Sequence, residues 1–350
     1  MVATMLTPIY VLGGSHKKEL KMKTRKLGKT EIKVSELVLG GGYVGGIFLQ
    51  SDEKEKLRAI QHAINSGINL IDTAPSYGNG ESERAVGKLL SQLTPRPYLA
   101  TKVQIDPLIR KDLAGQVEKS ITGSLTRLET SSVDLIQLHN PLSKEDDIKH
   151  LGVDHLLGKN GVIKALQKAK DSGLTKYIGM TALGNPASCQ IAIKTAAFDT
   201  AQVYYNMLNP SADITVPNNW TQTNFLKLMT TCEDYKIGIM NIRVFAAGIL
   251  ASTKRTGREI AVTRSGDFKF EEDEQRAEKL FRYLPKSKYT MAQQALRFSL
   301  ANQKISCVIL GLASFSELKE SLHVASAPPM DHPSLEKLKQ VYNSNYTLTV

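Results

Sequence analysis

Cysteine, tryptophan and long apolar runs are all scarce in this chain. There are three cysteines and one tryptophan among 350 residues, and aromatics make up 6%. Cys189, Cys232 and Cys307 are odd in number and far apart, which excludes a disulfide framework or a paired zinc motif and points to a reducing, cytoplasmic setting. No apolar stretch is long enough to cross a bilayer, so a membrane-spanning role is not expected. An apolar patch within Met1–Gly14 has no basic residue ahead of it, which argues against a secretory leader. Met22 as the true start and a flexible extension over 1–22 both remain open, with 23–350 read as one domain.

Acidic residues are the minority charge, 34 against 45 basic, for a formal net charge of +11. The stretch from Lys17 to Lys33 holds eight Lys or Arg against Glu19 and Glu31, a local excess of +6. Aromatics that could stack on bases are not interleaved there, so the stretch reads as a solvated tail and nucleic acid is not expected as a partner. With 41% hydrophobic and 23% charged residues, the remainder has ordinary globular composition and can bury a large core.

What is present is a repeated unit. Lys23–Gly28 and Ile32–Leu39 read as a hairpin joined by Lys29-Thr30-Glu31, leading into a first strand at Glu36–Leu39. Seven helical stretches follow, each leading to a short apolar strand: Asn69–Asp72, Tyr98–Lys102, Val133–His139, Tyr177–Thr181, Ala201–Asn206, Ile237–Ile242 and Val308–Gly311. Eight strands in unbroken alternation with helices predict a parallel sheet closed as a (β/α)8 TIM barrel, with its chemistry at the C-terminal ends of the strands. The stretch from Ala251 to Lys286 lacks clear periodicity and follows the seventh strand, so it is a candidate lid or an insertion.

Gly40-Gly41-Gly42-Tyr43-Val44-Gly45 matches G-x-G-x-x-G in form, but Ser51 is the better N-cap for the following helix and no acid stands at the distance a Rossmann unit requires. The glycines, Gly42 among them, fit a close approach to a ligand at the barrel mouth or a plain loop.

Three strand ends then carry Asp72, Lys102 and His139, with Tyr77 on the loop after the first, in IDTAPSYGNGESER. A lysine closing the buried-looking run YLATK has to reach water or an acid, and Asp72 is the nearest candidate. An ammonium beside Tyr77 favours its phenolate, so Tyr77 can exchange a proton with a carbonyl or alcohol oxygen. His139 can hydrogen-bond that oxygen. Neither a nucleophile nor a metal set is implied, and the electron partner missing from this set is what a hydride-carrying cofactor supplies.

In IDTAPSYGNGESE, YLATKV and VDLIQLH, and over nearly all of Lys23 to Ala325, the chain resembles the aldo-keto reductase superfamily. The resemblance implies a barrel that binds an extended nicotinamide dinucleotide without a Rossmann domain. It implies catalytic roles for Asp72, Tyr77, Lys102 and His139, with Tyr77 the general acid or base. Gln202 matches the glutamine that bonds the nicotinamide amide, and Thr181 stands where a serine often does. Ala182 replaces an asparagine, Ile242 an aromatic, and Arg243 a serine beside the pyrophosphate. The resemblance places Phe245, Gly248 and Leu250 along the pyrophosphate loop and Gly311 to Ser321 around the adenosine phosphate, with Glu320 near the adenine. Glu317 stands where NADPH-preferring members often carry Arg, and a carboxylate repels a 2′-phosphate, so NAD is favoured over NADP. ALRFSLANQKISCVILGLAS and YIGMTAL are most similar to the galactose and aldose dehydrogenase branch. The first expectation is hydride transfer between NAD(P) and an aldose or small aldehyde or ketone. The alternatives are an NADPH-dependent carbonyl reductase and a slow regulatory subunit of the potassium-channel kind. Oligomeric state and exact substrate carry no motif.

Overall fold

The computed structural model describes residues 22–42, 46–252 and 270–348. Eight parallel strands close into a barrel. In chain order the strands are β1 Thr24–Lys26, β2 Lys33–Ser35, β3 Leu37–Gly40, β4 Leu70–Asp72, β5 Tyr98–Val103 and β6 Val133–Leu138. They continue as β7 Leu142–Ser143, β8 Leu151–Gly152, β9 Thr175–Thr181, β10 Thr200–Tyr204, β11 Gly238–Ile242 and β12 Ile305–Gly311. The barrel runs β3-β4-β5-β6-β9-β10-β11-β12 and back to β3, so all eight expected strands take part. The short parallel pair β7 and β8 stands apart from it.

The expected hairpin is β1 against β2, antiparallel, and it closes the N-terminal end of the barrel. Its Leu27, Ile32 and Val34 cluster with the barrel-filling Val38, Leu70, Ala100, Leu135, Met240 and Cys307. Arg25 pins it there, with its guanidinium donating to Glu36 and to the carbonyls of Leu300, Asn302 and Ile305 at 2.7–2.9 Å. Gly28 turns the hairpin with φ +56°, and a Cβ there would lie 2.1 Å from the Gly238 backbone N, so this position requires glycine.

Three expectations shift. The helix Glu53–Asn65 is capped by Asp52, whose side chain accepts from Glu55 N at 2.8 Å, and not by Ser51; a one-turn helix, Ile47–Gln50, comes before it. The helix expected over Thr223–Tyr235 spans only Leu228–Asp234, because Leu226 and Lys227 both adopt positive φ and end any helical run upstream. The candidate lid is partly a 14-residue helix, Phe270–Tyr283, whose inward residues are Asp273, Ala277 and Leu280. A buried aspartate in the apolar stripe concealed its period. Residues 253–269 of that stretch, Tyr43 to Gly45 of the glycine run, and the extension up to residue 21 lie outside the described residues.

Candidate active site

Side chains alternate along a strand, so the face that fills the barrel below also sets what reaches its mouth. Asp72 stands two residues beyond the barrel-filling Leu70, Lys102 two beyond Ala100, and Gln137 and His139 two and four beyond Leu135. Apolar filling therefore gives way to a polar layer at the C-terminal ends of neighbouring strands.

Asp72 and Lys102 are both buried and joined by Lys102 Nζ donating to Asp72 Oδ2 at 2.6 Å. The same nitrogen donates to the Thr73 carbonyl at 2.8 Å and is attracted to the neighbouring Tyr77. Burial pulls the Lys102 pKa down, but attraction to Asp72 and Tyr77 outweighs it and the net shift is upward, so the ammonium persists at neutral pH. Nζ lies 4.6 Å from the Tyr77 ring centroid.

His139 meets the Tyr77 ring edge to face, with centroids 5.8 Å apart and planes at 86°. Its Nδ1 is 3.4 Å from Ser76 Oγ. Burial, and secondarily the Lys102 charge, push the imidazole pKa down to about 3, so His139 is neutral at working pH. The four residues expected to act together are thus brought together by the fold.

The expected cofactor positions divide. Thr181 is buried at the end of β9, and its Oγ1 has no partner. Gln202 is buried on β10, and its Nε2 donates to Asp72 Oδ1 at 2.8 Å. A Cβ on Gly42 would stand 3.8 Å from Tyr77 Cζ, in ordinary van der Waals contact, so Gly42 lies beside the phenol with room for a side chain. Arg243, at the end of β11 with φ +63°, has its pKa lowered by burial and interacts electrostatically with Tyr204 and Tyr77, which places its guanidinium at the mouth. Phe245 packs against the core beside the turn Ala246–Gly248, in which Gly248 has φ +101°, and Leu250 is fully buried, so it supports this loop without presenting a side chain.

Gly311, the last residue of β12, is exposed, and the helix Phe315–Ala325 follows. Glu317 curls back on its own helix start, with Oε2 accepting from Ala313 N at 2.7 Å. Glu320 accepts from Thr290 Oγ1 at 3.2 Å, and Ser321 is buried. Phe315 is flanked by Arg58 at 4.4 Å, Lys319 at 5.1 Å and His62 at 5.1 Å from its ring centroid.

Several participants escaped the sequence reading. Gln137 donates to Asp72 Oδ1 at 2.9 Å, and only its spacing of two from His139 hints at this. Glu83 is fully buried, accepting from Thr101 Oγ1 at 2.5 Å and Arg127 Nε at 2.6 Å, and so locks the strand that carries Lys102 to the helices around it. Tyr204 stacks on Phe225 at the end of β10, and its pKa is raised to about 12 by burial, with Asp273 adding to the shift. Among the described residues no cluster of His, Cys, Asp or Glu could hold a metal ion.

These side chains can move a proton to or from an oxygen at the mouth of a barrel, which is the acid–base half of an oxidoreductase. The chain belongs to the aldo/keto reductase family, whose model matches residues 36–343. It is similar to L-galactose dehydrogenase of Arabidopsis thaliana, at 28% identity over 94% of this chain and 97% of that one. It is also similar to D-threo-aldose 1-dehydrogenase of a Pseudomonas species, at 26% identity over 64% of this chain and 70% of that one. In fold it matches an aldo-keto reductase from Bacillus halodurans solved in holo form, with a TM-score of 0.71 and 22% identity over 92% of this chain and 97% of that one. The protein is therefore an oxidoreductase of a family that uses nicotinamide cofactors on carbonyl or sugar substrates.

Proposed function

We propose that this chain moves hydride between a nicotinamide dinucleotide and an aldose or small aldehyde or ketone, with Tyr77 exchanging the proton. The observation that carries this reading is the buried Lys102 ammonium held between Asp72 Oδ2, the Thr73 carbonyl and Tyr77. For oxidation, Tyr77 takes the hydroxyl proton of the substrate; for reduction, it returns one to the carbonyl oxygen. Lys102 stabilises the phenolate form, and the neutral His139 offers a hydrogen bond that sets the angle of the substrate oxygen.

The residues present fit the dinucleotide. Thr181 Oγ1 is a buried orphan at the mouth, and Gln202, with Nε2 committed to Asp72, keeps its carbonyl oxygen for a carboxamide N–H. Arg243 suits the pyrophosphate. When bound, the dinucleotide supplies the hydride carrier. Sugar as substrate is supported by the two dehydrogenase relatives. The three free cysteines are all buried, in keeping with a reducing compartment and a cytoplasmic protein.

The choice between NAD and NADP rests on different residues than Glu317 alone suggests. That carboxylate is held by its own helix, while Arg58 and Lys319 bring positive charge to Phe315 in the segment expected to meet the adenosine phosphate. This local balance supports acceptance of NADP, against the NAD preference read from Glu317.

Tyr77→Phe tests the central assignment. With a panel of aldoses and aldehydes, kcat should fall about 100-fold or more, while the dinucleotide Kd, read by fluorescence titration, stays within about twofold. Retained turnover would remove Tyr77 from proton transfer. Tight dinucleotide binding by the unmodified chain with no turnover of any panel member would favour the regulatory-subunit reading.

A further inference from the structure

Asp72 accepts more hydrogen bonds than holding Lys102 requires. Its Oδ2 takes the ammonium, and its Oδ1 takes two side-chain amides, Gln137 Nε2 at 2.9 Å and Gln202 Nε2 at 2.8 Å. Gln137 sits on β6 in register with Lys102 on β5, and Gln202 on β10 reaches across the barrel. The carboxylate fixes which way both amides point, because a carbonyl oxygen turned toward it would face an anion.

Gln137 gains nothing else from its position. It is fully buried, and its Oε1 has no partner. An orphaned buried carbonyl is unfavourable, and an apolar side chain of equal volume would fill the barrel at lower cost. A locally unfavourable polar group beside the reacting residues is what a functional site retains. The choice of a neutral donor is also informative. A cation there would compete with Lys102 for the carboxylate, and a hydrocarbon would leave Oδ1 one donor short.

We propose that Gln137 is a positioning residue for proton transfer, acting through Asp72. Together with Gln202 it saturates Oδ1 with neutral donors, so that Oδ2 alone faces Lys102 and the ammonium stays at the Tyr77 phenol instead of being drawn between both carboxylate oxygens. This rests on the acid–base role of Tyr77.

Three variants test it. Gln137→Met keeps the volume and removes the donor; kcat should fall about tenfold, with dinucleotide Kd and substrate KM within about twofold. In an Asp72→Asn background the same change should have no further effect on kcat, since it acts only through that carboxylate. Gln137→Glu places a second carboxyl beside Asp72, where the two share a proton. Protonated, it donates in place of the amide, so activity should be near normal in acid and lost toward alkaline pH, along a limb that the unmodified enzyme and Gln137→Met both lack. Full additivity with Asp72→Asn, or a Gln137→Glu profile parallel to the unmodified one, overturns the proposal alone. Absence of turnover in the unmodified chain overturns the Tyr77 reading and this proposal with it. A urea-denaturation cycle over Gln137→Met and Asp72→Asn reads the hydrogen-bond coupling independently of activity, and zero coupling there also overturns the proposal.

Discussion

At the scale of single residues, burial decides what each mouth group can do. His139 titrates in the unfolded chain near the ordinary 6.5, but burial and then the Lys102 charge bring the folded value down to about 3. Between these values the unfolded chain binds more protons, so stability rises with pH across the window and is lost as pH falls from about 6.5 toward about 3. His139→Gln should therefore flatten the difference in urea midpoint between about pH 7 and about pH 4.5. An unchanged difference would show that this imidazole does not drive acid destabilisation. Asp72, Tyr77, Lys102 and His139 were legible because each is a polar residue at or just past the end of an apolar strand. Gln137 and Glu83 were not, since an uncharged amide inside a strand and an acid inside a charged helical stretch look ordinary until their partners are known. Glu317 looked like a cofactor discriminator, and folding gave it the backbone N–H of Ala313.

Among the elements, the β1–β2 hairpin separates stability from chemistry. Leu27, Ile32 and Val34 fill the end of the barrel away from the mouth and are all buried. Leu27→Ala should lower stability by about 2–5 kcal/mol, measured by urea denaturation, and leave dinucleotide affinity unchanged. A loss of affinity at full occupancy of the folded state would mean that the plug shapes the mouth as well. Helices were readable where the apolar stripe was continuous. The helix Phe270–Tyr283 was missed because Asp273 occupies the stripe, buried there and paired with Arg276 at 2.7 Å.

Over the whole molecule, closure of the barrel makes neighbours of segments far apart in the chain. Arg58, from the helix after β3, lies over Phe315 from the helix after β12, because β12 pairs with β3. Arg58→Ala should weaken NADP binding by about tenfold, with NAD little changed, and Glu317→Arg should strengthen NADP. Equal losses for both dinucleotides in Arg58→Ala would place Arg58 at the shared part of the cofactor and remove it from the discrimination.

The amino-acid order by itself determined the barrel, the N-terminal hairpin, the strand-end residues Asp72, Lys102 and His139, and Tyr77 on the loop beyond the first of them. All of these follow from local periodicity and from the cost of burying charge, both of which act between residues close in sequence. Only the tertiary structure decided that two amides converge on Asp72, that Glu83 ties the lysine strand through Thr101 to the helix that carries Arg127, and that cations gather at Phe315. Apart from Lys319, one turn along the helix from Phe315, those contacts join residues many positions apart, and their geometry exists only once the eight strands have closed.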